Sequence, residues 1–201
     1  MINLYVCDIV SEECIGNQLD IILNNLPFWR REKALSYKYD LDKYLCAKAF
    51  MLLKDGLSRD YEIKDEIQFS YNSNGKPFLI SHPEIHFNLS HCRKSVVCAI
   101  SRTPIGIDTE EILYDDDLAK FVLSEDDYKD VIASNNPAES FTTAWTVKES
   151  YLKMLGWGIL DNLKEIDTKK AYFSTKIERE VGYVMTLCSK EKKQLNINNF
   201  I

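Results

Sequence analysis

The chain has no CxxC pair among its six cysteines (Cys7, Cys14, Cys46, Cys92, Cys98 and Cys188), no GxSxG turn, and no apolar run near the ~20 residues that cross a bilayer. Thiols scattered in this way read as reduced cysteines of a cytoplasmic protein, not as a disulfide frame. The opening stretch MINLYVCDIV also lacks the basic, then apolar, then small-residue order of a secretory leader. Basic residues are in deficit: 25 Lys and Arg face 31 Asp and Glu, a formal net charge of −6. Broad contact with nucleic acid or an anionic membrane needs a cationic surface that displaces counterions, so neither is expected as a partner. Any anionic ligand must be gripped locally. What remains is the make-up of a soluble globular chain, 45% hydrophobic and 28% charged over 201 residues, enough for one large domain or two small ones.

Apolar spacing predicts a strand over residues 2–9 and helical sequence over 30–57, where Leu35, Leu41, Leu45, Ala49, Leu52 and Leu53 recur and Gly56 offers a stop. Asn74-Gly75-Lys76-Pro77 are turn residues between two extended runs, 67–71 and 78–80. Residues 85–100, IHFNLSHCRKSVVCAI, read as a strand, a polar turn, and a second strand or buried helix. Thr103-Pro104 then marks a boundary between an N-terminal half, 1–103, and a C-terminal half, 104–201. The second half carries helical patterns over 115–133 and 140–155, a Gly-Trp-Gly turn at 156–158, and strand-rich sequence to its end. Each half mixes helix and strand.

Three constellations carry chemistry. In IGIDTEEI, strand parity turns Asp108 and Glu110 to one side and Ile105, Ile107 and Thr109 to the other. Two carboxylates on one side are either an exposed acidic strand end or a site for a hard cation such as Mg²⁺, which prefers oxygen ligands. In WTVKESYLK, Trp145, Glu149 and Lys153 recur every fourth residue, with Lys148 beside them. This is either a surface Glu–Lys pair or a metal-binding acid flanked by phosphate-neutralising lysines. In FNLSHC, Phe87, Leu89 and His91 share one face and His86, Asn88, Ser90 and Cys92 the other. The opposed faces make a zinc site awkward.

Taken in order, GKP at 75–77, FNLSH at 87–91, GIDTE at 106–110, and WTVKES followed by Lys153 resemble the Sfp-type 4′-phosphopantetheinyl transferases over roughly residues 30–160. The resemblance implies an α+β fold of two similar subdomains in a pseudo-twofold arrangement, with the active site in the cleft between them. It implies transfer of the phosphopantetheine arm of coenzyme A to a serine of an apo acyl or peptidyl carrier protein, with release of 3′,5′-ADP, by a Mg²⁺-dependent monomer. Asp108, Glu110 and Glu149 match the family's magnesium-binding acids, and Lys148 and Lys153 match its pyrophosphate-contacting lysines. Lys76 with Pro77, Ser90 and His91 match residues around the 3′-phosphate and adenosine. Lys33 and Lys38 match the basic N-terminal region more loosely. Catalysis would rest on Asp108, Glu149 and Lys153, with Glu149 or a water it orients as the base and Glu110 in reserve. Asp127 falls where the family carries a glutamate. Leu45 stands where related enzymes often have an arginine, with Lys43 or Lys48 as substitutes. Met154 and Trp157 suit either a docking surface or the core. The rival readings are a non-catalytic relative that binds coenzyme A or a carrier protein, and another Mg²⁺-dependent phosphohydrolase.

Overall fold

The structure, a computed structural model, describes residues 1–9, 12–158 and 163–200, excluding the side chains of residues 12–14 and 200. It is an α+β fold. In chain order the elements are β1 (Ile2–Asp8), α1 (Glu12–Asn24), α2 (Phe28–Leu35), α3 (Asp40–Tyr61), β2 (Phe69–Tyr71), β3 (Pro77–Leu79), β4 (His86–Cys92), β5 (Ser95–Ser101) and β6 (Ile105–Glu111). Then follow α4 (Asp116–Val122), α5 (Glu125–Ala133), α6 (Pro137–Leu155), two short 3₁₀ turns, β7 (Tyr172–Glu178), β8 (Tyr183–Ser189) and β9 (Leu195–Phe200).

One sheet has the order β4-β5-β1-β9 and a second the order β6-β8-β7, while β2 and β3 form the separate hairpin around the NGKP turn. The halves follow the same plan. In each, an initial strand leads through three helices to an antiparallel pair, and the last strand of that pair lies centrally against the first: β5 on β1, β8 on β6. Strand β9 breaks the division by crossing back to run parallel to β1, Ile2 opposite Leu195.

Period-two alternation explains why β5 is buried along its whole length. Val96, Cys98 and Ile100 face a core shared with Tyr5 and Cys7 of β1 and with Phe50, Leu53 and Leu57 of α3. Val97 and Ala99 face the other way, onto Ile105 and Ile107 of β6 and Tyr183, Met185 and Leu187 of β8. The two sheets therefore pack face to face, with α1 to α3 outside the first. A third cluster joins α4, α5 and α6 through Val122, Val131, Phe141 and Leu152.

Two helical boundaries differ from the sequence reading. The run over 30–57 is broken between α2 and α3, and Gly56 lies inside α3, which ends at Glu62 in the left-handed region (φ 59°). Gly56 is there for space: a Cβ would stand 2.6 Å from the Tyr5 ring. The helical sequence over 115–133 is two helices, because Ser124 caps α5 by accepting from Asp127 N. The cysteines Cys7, Cys46, Cys92, Cys98 and Cys188 are free and buried; the side chain of Cys14 lies outside the described residues. Among the described residues, no helix is long and apolar enough to cross a membrane.

Candidate active site

Strand β6 lies against both β4 and α6, and one glycine permits the second contact. A Cβ at Gly106 would stand 1.9 Å from Ser150 O and 2.4 Å from Met154 N. Only hydrogen in place of a side chain lets the strand carrying Asp108 and Glu110 touch the helix carrying Glu149 and Lys153. On the other side, Asn88 of β4 accepts from Ile107 N at 2.7 Å, and Ser90 Oγ donates to Asp108 Oδ1 at 2.9 Å. Both faces of β4 are thus occupied: Phe87 in the helix-covered core, Asn88 and Ser90 against β6.

At this junction Asp108 is 1% exposed. Lys153 Nζ donates to Asp108 Oδ1 at 2.5 Å and to Ser90 Oγ at 2.9 Å, closing a triangle of acid, hydroxyl and ammonium drawn from three elements. Two carboxylate oxygens stay buried with no partner, Asp108 Oδ2 and Glu149 Oε1. Glu110 is pushed up to about 7, first by burial and then by the Asp108 charge, against the pull of Lys153 and of a hydrogen bond from Trp145. Glu149 is raised for the same reasons, burial and then Asp108. Three acids crowding one ammonium leave an excess of negative charge, the condition a bound cation relieves. The donor set of carboxylate oxygens suits a hard ion such as Mg²⁺, and the two orphaned oxygens fit that need. As the side chains are placed, no three His, Cys, Asp or Glu among the described residues stand close enough together to hold an ion.

A cavity of about 300 Å³ opens beside the junction, lined among others by Gly75, Lys76 and Pro77 of the hairpin, Asn88, Glu149 and Lys153. His91 follows Ser90 at the surface, and its pKa is lowered, first by desolvation and next by Lys153, with Asp42 opposing and Arg30 adding. The structure thus gathers Asp108, Glu110, Glu149, Lys153, Ser90 and, at the edge, His91 and Pro77.

Other residues singled out from sequence are placed differently. Lys148, a quarter turn around α6 from Glu149, points away: its buried ammonium donates to Val122 O at 3.0 Å and Leu163 O at 2.9 Å, and burial lowers its pKa. Lys76 donates to three backbone carbonyls. Lys33 and Lys38 are exposed on and after the last turn of α2, over Tyr37 and Tyr39 respectively. Leu45 is core, Lys43 pairs with Asp40, and Lys48 bonds Cys7. Asp127 accepts from Ser124 Oγ at 2.7 Å at the start of α5, and Met154 is buried while Trp157 is half exposed. The sequence reading missed Arg30. Its guanidinium lies over Phe50 and donates to Cys46 O at 2.9 Å, its Nε is buried without a partner, and its charge acts on His91. The WRREK run was its only signal.

Comparison with known proteins finds relatives of one kind. The 4′-phosphopantetheinyl transferase superfamily profile (ACPS) matches residues 104–194. The chain is 29% identical to the 4′-phosphopantetheinyl transferase Sfp of Bacillus subtilis (strain 168) over 179 residues, 80% of each chain. It is 34% identical to the transferase gsp of Aneurinibacillus migulanus, over 75% of this chain and 64% of that one. It is 32% identical to the transferase psf-1 of Bacillus pumilus, over 71% and 63%. The chain thus spans four-fifths of the first relative and slightly under two thirds of the other two. The acid strand β6 and the helix α6 both fall inside the matched stretch, and over most of its length the chain is similar to Sfp-type 4′-phosphopantetheinyl transferases.

Proposed function

We propose that this chain transfers the 4′-phosphopantetheine group of coenzyme A to a serine hydroxyl of an apo acyl or peptidyl carrier protein, releasing 3′,5′-ADP in a Mg²⁺-dependent reaction. The observation that carries the reading is the junction of Asp108, Ser90 and Lys153, with the orphaned oxygens of Asp108 and Glu149 beside it, in a chain matching transferases of this name.

Asp108, Glu110 and Glu149 would hold the magnesium ion, which when bound supplies Lewis-acid neutralisation of the pyrophosphate oxygens. Lys153, already at the acid cluster, stabilises negative charge on the leaving side as the serine oxygen attacks phosphorus and the P–O bond to 3′,5′-ADP breaks. Glu149 accepts the serine proton, with Glu110 as the reserve. Ser90 and His91 hold the nucleotide end of coenzyme A at the mouth of the cavity, Pro77 lines it, and Lys33 and Lys38 add long-range attraction from α2. The two halves are related by a pseudo-twofold, supported by their common element order, and meet at this cleft. Both halves come from one chain, which favours a monomer.

The test is intact-protein mass spectrometry of apo carrier proteins after incubation with the enzyme, coenzyme A and Mg²⁺. A gain of one phosphopantetheine, lost with chelator and in Asp108→Ala, is expected. No gain across acyl and peptidyl carriers would reject the reading in favour of a coenzyme A or carrier-binding relative.

A further inference from the structure

The NGKP turn does more than border the cavity. Lys76 Nζ donates to Lys153 O at 2.6 Å, to Met154 O at 3.1 Å and to Ile105 O at 3.1 Å. An ammonium has three protons, and three carbonyls take them all. Two of these acceptors are carbonyls at the end of α6, which no helical N–H satisfies and which carry the negative end of the helix dipole. The third stands at the start of β6, three residues before Asp108. The neighbouring side chains join in: Asn72 Nδ2 and Asn74 Nδ2 donate to Gly156 O at 3.1 and 3.0 Å. Asn72 Oδ1 holds the turn by accepting from Asn74 N at 3.0 Å and Lys76 N at 2.8 Å. Gly156 itself takes φ 71° to end the helix, and a side chain there would strike Asn72 and Lys76.

We propose that Lys76 is a positioning residue: from the hairpin of the first half it staples the start of β6 to the last turn of α6, and so fixes Lys153 against Asp108 and Ser90. A lysine that grips a phosphate needs a proton free for it, and the ammonium of Lys76 has none to spare. Burial pulls its pKa down to about 8, and no carboxylate is among the groups acting on it, as fits an ammonium committed to neutral carbonyls. The kinetic side of the inference rests on the transferase reading; its structural side does not.

The experiment compares wild type with Lys76→Met, Lys153→Met and the double variant; Lys76→Gln, which keeps two donors, replaces the first if it does not fold. Lys76→Met should lower kcat about tenfold or more through misplaced Lys153. It should leave the calorimetric Kd for 3′,5′-ADP within about twofold, and the double variant should be no slower than Lys153→Met, as for residues acting as a unit. Hydrogen exchange without substrate should speed up at Gly156 and Trp157, whose amides bond to Leu152 O. Lost 3′,5′-ADP affinity with kcat preserved, or losses that multiply in the double variant, would overturn the proposal in favour of direct contact or independent action. If wild type modifies no carrier, the transferase reading fails by itself. The nucleotide-binding and exchange arms then still decide, and unchanged exchange in Lys76→Met refutes the staple.

Discussion

Gly106→Ala is the smallest change that tests whether the site depends on the closeness of β6 and α6. The added Cβ would lie 1.9 Å from Ser150 O, about 1.5 Å short of an ordinary contact near 3.5 Å, and also 2.4 Å from Met154 N. Both obstacles are backbone, so no rotamer change relieves them and the helix must move off the strand. Overpacking of this kind costs about 3 kcal/mol, which lowers Tm by roughly 6–12 °C in a chain of this size. The shift also separates Asp108 from Lys153 and Glu149, and a misplacement of about 1 Å costs on the order of a hundredfold in turnover. Urea and thermal unfolding give the first quantity and single-turnover transfer to a carrier the second. If Gly106→Ala keeps the Tm of the wild type, the backbone contact is not as close as described. If it loses stability but keeps full turnover, the alignment of β6 and α6 is not what the chemistry needs.

Lys148→Met should lower stability by about 1–3 kcal/mol by leaving Val122 O and Leu163 O without their donor, yet hardly change the Kd for coenzyme A. A tenfold loss of affinity at unchanged urea midpoint would place Lys148 on the pyrophosphate after all. For pH, Glu110 is raised to about 7 when folded, so the folded state binds the extra proton and stability from this group falls as pH climbs from the ordinary carboxylate range through about 7. His86 and His91, both lowered, act in the opposite sense, so the pH dependence of Tm for wild type is compared with that for Glu110→Gln. The difference should shrink when Mg²⁺ is added at neutral pH and not at acid pH, because the acids must deprotonate to hold the ion; a difference independent of pH would reject the assignment.

Much of the site was legible because strand and helix periods are simple. Parity put Asp108 and Glu110 on one side of β6, and four-residue spacing put Glu149 and Lys153 on one side of α6. The same spacing could not say where Lys148 points. Its direction depends on α4 and the 3₁₀ turn that offer it carbonyls, elements far away in the chain. Gly56 misled for a related reason. A glycine at the end of an apolar pattern reads as a helix stop, but this one answers to the ring of Tyr5, fifty-one residues away on the strand the helix covers. Lys76 was noticed for its turn, and its three acceptors belong to residues 105, 153 and 154. The division near residue 103 falls in the β5–β6 connection, while the pairing of β9 with β1 joins positions 193 apart, which no local pattern signals.

That last pairing governs the order in which the molecule can be made. During synthesis β1 emerges early and finds β5 about ninety residues later, but its other edge stays open until β9 leaves the ribosome. Residues 193 positions apart must therefore both exist before the first sheet is finished, and closing so long a loop is slow. An unpaired edge is prone to join another chain meanwhile. Ribosome-bound chains arrested before residue 195 should accordingly expose β1 to pairing partners, and the finished protein should unfold in one transition, since neither half can leave without taking a strand from the other.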